Sequence, residues 1–485
     1  MSSKSVIVIG GGLAGLSSAV ALADAGFRVR LLEKRPHLGG RATSYALPNG
    51  EHVDNCQHVT LGCCTNLEDF YRRVGASHKI RTYRRLYFAD PQGRRGMIEA
   101  SPLPPPFHLA LSFARFPLLS WADKRAIARA MLKIVRCGGL PTDLDGGGIT
   151  MLEWLERHGQ TKAAIERFWG VVLVSALDEE LGRTDARYGV DAFWKAFLAN
   201  RTGFELGIPA VPLSELYDGS RGAIERRGGE VSLRAGVRVI QVAEGSVAGL
   251  QLESGEQVTA DFYLAAVPHD ALLELLSGEI AEREPAFANL RRLRTSPITG
   301  VHLWIDREVM SEPYLTVLDC TTQWIFNKSL LYSSSAGAVG ARGVAEAGQY
   351  LQLVISASYG LAARSRQEII ELCRRELEGI LPATREAHLV KATVIKEMAA
   401  TFSPEPGCDQ WRPRQTSPIG GLFLAGDWTA TGWPATMEGA VRSGYLAAEA
   451  ILVVAGTPRR LLRPDLPVQP ASSWLAKNSR SAHSK

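Results

Sequence analysis

The feature that most constrains this chain lies in its first forty residues. Val6 to Ile9 is a β-branched run with the character of a buried parallel strand, and it feeds directly into Gly10, Gly11, Gly12, Leu13, Ala14 and Gly15. A helical pattern follows from Leu16 to Ala25, and Gly26 closes it. In that order, Gly10 permits the tight turn, Gly12 lets the backbone approach a pyrophosphate, and Gly15 allows helix to pack closely on strand. The helix start offers free N–H groups and a partial positive charge to phosphate oxygens. A second strand, Val29 to Glu33, ends in an acid about 20 residues after the glycines. Glu33, with Lys34 beside it, is placed to accept hydrogen bonds from ribose hydroxyls. The pattern predicts an α/β domain holding a dinucleotide, with FAD and NAD both open at this point.

Leu38-Gly39-Gly40-Arg41-Ala42 follows almost at once and puts a second glycine pair and a cation beside the same pyrophosphate. This pairing resembles the signature of the FAD-dependent amine oxidase and phytoene desaturase superfamily, so the resemblance implies FAD. In that superfamily a late Gly-Asp contacts the flavin ribityl chain. Here Leu422 to Trp428 supplies Gly426 and Asp427 at the end of an apolar strand. The helical pattern after Thr436, with Met437 in its first turn, points its N-terminus at the flavin pyrimidine. Strand-like runs Glu230–Leu233, Val237–Ile240, Val247–Leu252 and Gln257–Leu264 read as the same domain's second β element. By the resemblance, the backbone at Val237 meets the adenine. The expected architecture is α/β: a Rossmann-like FAD-binding domain in three discontinuous segments, 1–75, 220–285 and 395–457, with an inserted α+β substrate domain over 76–219 and 286–394. Within that insert Ile298–Ile305 and Leu351–Ser356 read as strands, and Gln367–Leu381 as a helix.

Composition narrows the setting. The chain of 485 residues is 46% hydrophobic and 22% charged, as in globular proteins, and carries 55 basic against 50 acidic residues, a net +5. After Gly456 there are six basic residues and one acid, which is the whole excess. Residues 458–485 are expected to be a disordered basic tail, and with a neutral body nucleic acid is not an expected partner. Seven cysteines with no C-x-x-C pair indicate neither a disulfide framework nor a metal site. No signal peptide and no apolar run of ~18 residues is visible. Between Phe107 and Leu119 the chain is very apolar, and Ile127, Met131, Ile134 and Val135 then form a helical stripe opposite Arg125, Arg129, Lys133 and Arg136. That helix packs on the core or rests on anionic lipid. The expected localisation is cytoplasmic, peripheral on the inner face of the cell membrane. Gly138-Gly139, Gly146–Gly148 and Ser333–Gly348 read as loops.

Two further blocks sharpen the resemblance: Val53-Asp54-Asn55-Cys56-Gln57-His58, and Gly426-Asp427-Trp428-Thr-Ala-Thr-Gly432-Trp433-Pro434-Ala-Thr-Met437-Glu438. Together they resemble the squalene-associated FAD-dependent desaturase family, whose members act as hydroxysqualene dehydroxylases in squalene and hopanoid synthesis. Cys56 stands where the family often has glycine. The resemblance implies that a hydride replaces the hydroxyl of hydroxysqualene, a long-chain isoprenoid. Hydroxide leaves only if protonated, and the allylic cation needs a shielded site. Asp54 or His58 is then the candidate acid and Gln57 an orienting group. A turn-capping carboxylate and a structural histidine are the plain alternatives. Trp428 and Trp433 are expected near the cofactor, and Cys56, Cys63 and Cys64 as packing residues. No second glycine motif for NAD(P)H is present, so the sequence leaves the electron donor unknown. The competing functions are an oxidising carotenoid or squalene desaturase, an amine or protoporphyrinogen oxidase, and a non-catalytic isoprenoid escort.

Overall fold

The computed structural model describes residues 4–47, 52–141, 148–332 and 348–482, and the side chains of all of these but 46 and 477–482. Its organising element is a parallel five-stranded sheet in the order Glu230–Leu233, Arg28–Glu33, Ser5–Ile9, Phe262–Ala265, Leu422–Leu424. The central strand alternates: Val6 and Val8 enter one hydrophobic core, Ile7 and Ile9 the other. On the first face lie the helices Leu13–Asp24 and Met437–Val454. They approach so closely that a Cβ on Gly444 would sit 2.3 Å from the Ala14 carbonyl oxygen. The second face is covered by an antiparallel sheet of Val237–Ala243, Ser246–Leu252 and Gln257–Val258.

Two strand expectations change. Glu230–Leu233 is an edge of the parallel sheet rather than part of the antiparallel one, because Arg234, with φ 53°, turns the chain out of line. The run Gln257–Leu264 is two strands in different sheets, Gln257–Val258 and Phe262–Ala265.

The second domain is built on a seven-stranded sheet in the order Leu389–Phe402, Thr295–Ile305, Gln349–Ile355, Trp324–Asn327, Tyr314–Val317, Arg85–Ala89, Arg95–Glu99. Leu351, Leu353 and Ile355 face the helix Arg366–Ile380, while Val354 faces the opposite side. Helices at 121–198 stand over that opposite side, several opened by capping boxes such as Ser120 with Asp123 and Thr150 with Glu153. The basic helix is Trp121–Cys137, and its stripe Ile127, Ile134 and Val135 is buried in the core. The loop readings at Gly146, Gly147 and 333–347 lie outside the described residues.

The tail departs from expectation. Residues 458–476 pack against both domains rather than remaining disordered. The amides of Leu461 and Leu462 donate to Glu449, Arg463 pairs with buried Asp69 at 2.9 Å, and the Gln469 amide donates to the Ala199 carbonyl. A helix, Pro470–Ala482, follows, with the Ser472 hydroxyl on the Leu198 carbonyl. The prolines that argue against regular structure instead suit an extended strap whose amides are satisfied by acceptors of the body.

Candidate functional site

A single large cavity of about 910 Å³ runs along the C-terminal ends of the parallel strands and on over the second sheet. At one end the helix Leu13–Asp24 starts at Gly12 with no side-chain cap, leaving its first-turn N–H groups to an anionic ligand. The Gly39 amide donates to the Gly11 carbonyl at 2.9 Å, and Gly12 and Gly39 form a parallel bridge, so the two glycine turns are one piece of backbone. Gly40, with φ +62°, could carry no side chain there: a Cβ would lie 2.9 Å from the Gly12 Cα. Glu33 accepts the amides of Gly11 at 2.6 Å and Arg35 at 2.7 Å and stands on the cavity wall.

Of the sequence-predicted cofactor residues, Gly10, Gly12, Leu13, Ala14, Glu33, Lys34, Gly39, Gly40, Arg41, Val237, Gly426, Asp427 and Met437 all line this cavity. Gly15 does not: a Cβ on it would fall 1.9 Å from the Gly10 carbonyl oxygen, so its work is helix-to-turn packing. Arg41 forms an ion pair with Asp427, joining the first and last segments across the cavity. Trp433 lines the cavity, whereas Trp428 packs behind Gly426 with its indole N–H on the Val267 carbonyl.

The three catalytic candidates separate. Asp54 is not a cavity-lining residue. Its carboxylate accepts from Lys328 Nζ at 2.8 Å, Tyr332 hydroxyl at 2.9 Å, Ser44 hydroxyl at 2.7 Å and the Leu213 amide at 3.0 Å. Burial alone would raise its pKa, but Lys328 and these hydrogen bonds outweigh burial and hold it below the usual range. An ionised carboxylate with four donors has no proton to give, so Asp54 is corrected from acid to anchor. Gln57 and His58 do line the cavity. Gln57 Oε1 accepts from Lys328 Nζ at 2.6 Å, which fixes the amide. His58 Nδ1 lies 3.0 Å from the Cys56 carbonyl, and burial lowers its pKa against the pull of that carbonyl and of Asp54. At neutral pH the ring is neutral, with Nδ1–H donating and Nε2 an acceptor, which makes it a poor acid.

Sequence reasoning missed two residues. Lys328 is fully buried, and nothing in Asn327-Lys328-Ser329 marks it. Asp178 lines the cavity at 4% exposure, yet in Asp178-Glu179-Glu180 it reads as a solvated acidic run. It ends the helix Val171–Leu177 in a left-handed conformation, φ 52°, which turns its carboxyl back onto the Ala357 amide and the Thr401 hydroxyl, each at 2.9 Å. Burial, with neighbouring Glu179, raises its pKa well above the usual carboxylate range despite those two donors. Burial thus biases Asp178 toward its neutral, proton-bearing form. Around it the wall is apolar, with Val171, Val172, Phe197, Phe204, Leu206 and Trp324. Cys56, Cys63 and Cys64 also line the cavity with free thiols; burial raises the pKa of Cys56, and the hydrogen bond with Cys63 together with burial raises that of Cys64. Among the described residues no cluster suited to a metal ion occurs.

A parallel sheet with a dinucleotide cradle opening into an apolar chamber defines a flavin-dependent oxidoreductase. Residues 13–452 match the family described as flavin containing amine oxidoreductase, and the chain belongs to it. It is similar to the 15-cis-phytoene desaturase of Solanum lycopersicum, 29% identical over 469 residues that cover 92% of this chain and 77% of the relative. It is also similar to the zeta-carotene desaturase of Synechocystis sp., 29% identical over 476 residues, 92% of this chain and 97% of that one. Among solved structures, a putrescine oxidase triple mutant superposes with a TM-score of 0.70 at 16% identity, over 93% of this chain and 99% of that one. The cofactor is FAD. The cradle fits it: Gly10 to Ala14 and Gly39 to Arg41 would hold the pyrophosphate, Glu33 the ribose, Gly426, Asp427 and Met437 the flavin end.

Gly40→Ala should purify folded but with most of its FAD lost, measured as the ratio of flavin to protein absorbance. Gly228→Ala, at φ +78° with no atom within 4 Å of the new methyl, should keep its colour. A yellow Gly40→Ala protein would contradict the cradle.

Proposed function

We propose that this protein catalyses the FAD-dependent reductive dehydroxylation of hydroxysqualene to squalene, in squalene and hopanoid synthesis. The carrying observation is Asp178, buried on the wall of the cavity that continues from the flavin end, with its carboxyl on the Ala357 amide and the Thr401 hydroxyl and its pKa raised by burial. FAD, when bound and reduced, supplies the hydride. The C–O bond breaks with its electron pair on oxygen, Asp178 gives that oxygen a proton so that water leaves, and the hydride fills the carbon. Gln57, held by Lys328, and the neutral His58 border the reacting centre as fixed polar groups, His58 Nε2 accepting from the substrate hydroxyl. Long apolar walls orient the isoprenoid arms.

The curated relatives are phytoene and zeta-carotene desaturases, which supports the opposite direction as the second reading. Desaturation removes a hydride and a proton from adjacent carbons, so its site must accept a proton. A buried carboxyl whose pKa is raised is suited to giving a proton, and this favours dehydroxylation.

The substrate partitions into membranes, and we propose a peripheral contact with the inner face of the cell membrane. Leu103, Phe107, Leu111 and Trp121 are each 46–67% exposed and lie within 19 residues of chain, with exposed Arg125, Arg129 and Arg136 following. No helix among the described residues is long and apolar enough to cross a membrane.

Asp178→Asn keeps the shape but carries no acidic proton. Conversion of hydroxysqualene to squalene, followed by mass spectrometry, should fall at least ~100-fold with FAD still bound. Because the acid form is the active one, wild-type activity should fall as pH rises through the Asp178 pKa, and the variant should lack that limb. Undiminished conversion by Asp178→Asn would remove the assignment. For the membrane contact, Phe107→Asp combined with Trp121→Asp should sharply reduce cosedimentation with anionic liposomes while detergent-solubilised activity persists; unchanged cosedimentation would contradict it.

A further inference from the structure

Removing hydroxide from an allylic carbon leaves positive charge on carbon, and so does removing a hydride from one. The chamber must therefore offer an electron-rich surface where that charge develops. Of the two carboxyls described above, Asp54 is paired with Lys328 and burial favours the neutral form of Asp178, whereas aromatic faces on the wall offer an electron-rich surface that needs no charge. Among the aromatic rings on the wall, tryptophan attracts a cation most strongly, and the wall has two, Trp324 and Trp433. The face of Trp433 is already taken, with Lys195 Nζ 4.6 Å and the Arg442 guanidinium 5.4 Å from its ring centre. No Lys or Arg among the described residues stands over Trp324.

Trp324 is also held so that it cannot turn away. It opens the strand Trp324–Asn327, paired to Val354 on one side and Thr316 on the other. Its ring stacks within 10° of parallel on Phe326, centroids 5.7 Å apart, and leans on Tyr314 at 6.0 Å. Its indole N–H donates to the Ser175 hydroxyl at 2.7 Å, and that hydroxyl donates to the Val171 carbonyl at 2.8 Å. The polar edge is thus committed to the protein, and the ring, supported by Phe326 and Tyr314, still lines the cavity. Ser175 lies in the last turn of the helix that Asp178 terminates. Gln323, next to Trp324, exchanges hydrogen bonds with Ser356, whose neighbour Ala357 holds the Asp178 carboxyl. Acid and ring are therefore registered to each other through two elements.

We infer that Trp324 is a catalytic residue: its ring faces the reacting allylic carbon and stabilises the positive charge that develops there as the C–O bond breaks. This rests on the reading of the substrate as an allylic isoprenoid, but not on the direction of electron flow, since loss of hydroxide and loss of hydride each leave positive charge on an allylic carbon.

The test is a fluorinated tryptophan series placed at position 324 alone, each fluorine weakening the ring's attraction for a cation while leaving its shape and its N–H in place. With hydroxysqualene and reduced holoenzyme, log kcat should fall in step with fluorine count, by about thirtyfold in total, with KM and bound FAD nearly constant. A flat series would overturn the inference. If the wild type instead converts phytoene with oxidised flavin, the proposed direction fails, and the same series on phytoene decides Trp324. A squalene-length trialkylammonium ion reads the ring without turnover: its Kd should rise along the series by a similar factor, and an unchanged Kd would count against Trp324 whatever the substrate.

Discussion

The ion pair between Lys328 and Asp54 governs how the two domains meet. Both side chains are fully buried, and 274 positions of sequence separate them. A lone ammonium or carboxylate in such surroundings is strongly destabilising, whereas the pair with its added hydrogen bonds is tolerated. Asp54 extends the strand His52–Asp54 beside the glycine turns, while Lys328 follows a strand of the substrate sheet. Satisfying either charge fixes one domain against the other. The same ammonium also holds Gln57, so the polar edge of the chamber is positioned by the interaction that closes the domain boundary.

From that boundary the chamber divides by chemistry. The flavin end is lined by backbone amides, Glu33, Arg41 and Asp427, groups matched to phosphate and sugar. The far end is richer in hydrocarbon and aromatic side chains, among which Gln57, His58 and Asp178 are polar. Burial acts on each: it lowers the pKa of His58 and raises that of Asp178, while Lys328 and its neighbours hold Asp54 below the usual range. Two carboxyls that look alike on paper thereby acquire different roles, as carboxylates in unlike environments generally do.

Much of the flavin domain was legible in the sequence because its signals are local. A strand, a glycine turn and a helix within twenty residues leave little freedom, and the glycines at 10, 39 and 40 lie where the backbone admits nothing larger. The substrate site was less so. Asp54 looked catalytic from its neighbours in sequence, but its role depends on a lysine from a distant element. Asp178 carried no signal in the sequence, because local composition cannot show that a left-handed residue turns its carboxyl onto the Ala357 amide. Gly15 belonged to the motif yet packs rather than lines. The tail's prolines and basic residues indicated disorder, since the acceptors that order it, Glu449 and Asp69, are contributed by elements elsewhere in the chain.

The central claim is the direction of the reaction: electrons pass from the flavin to an allylic alcohol. Anaerobic photoreduction of the holoenzyme, followed by hydroxysqualene in a single turnover, tests it most directly. The account predicts return of the oxidised flavin spectrum with one squalene formed per flavin. A flavin that stays reduced with hydroxysqualene, but is bleached from the oxidised state by phytoene or squalene, would contradict it.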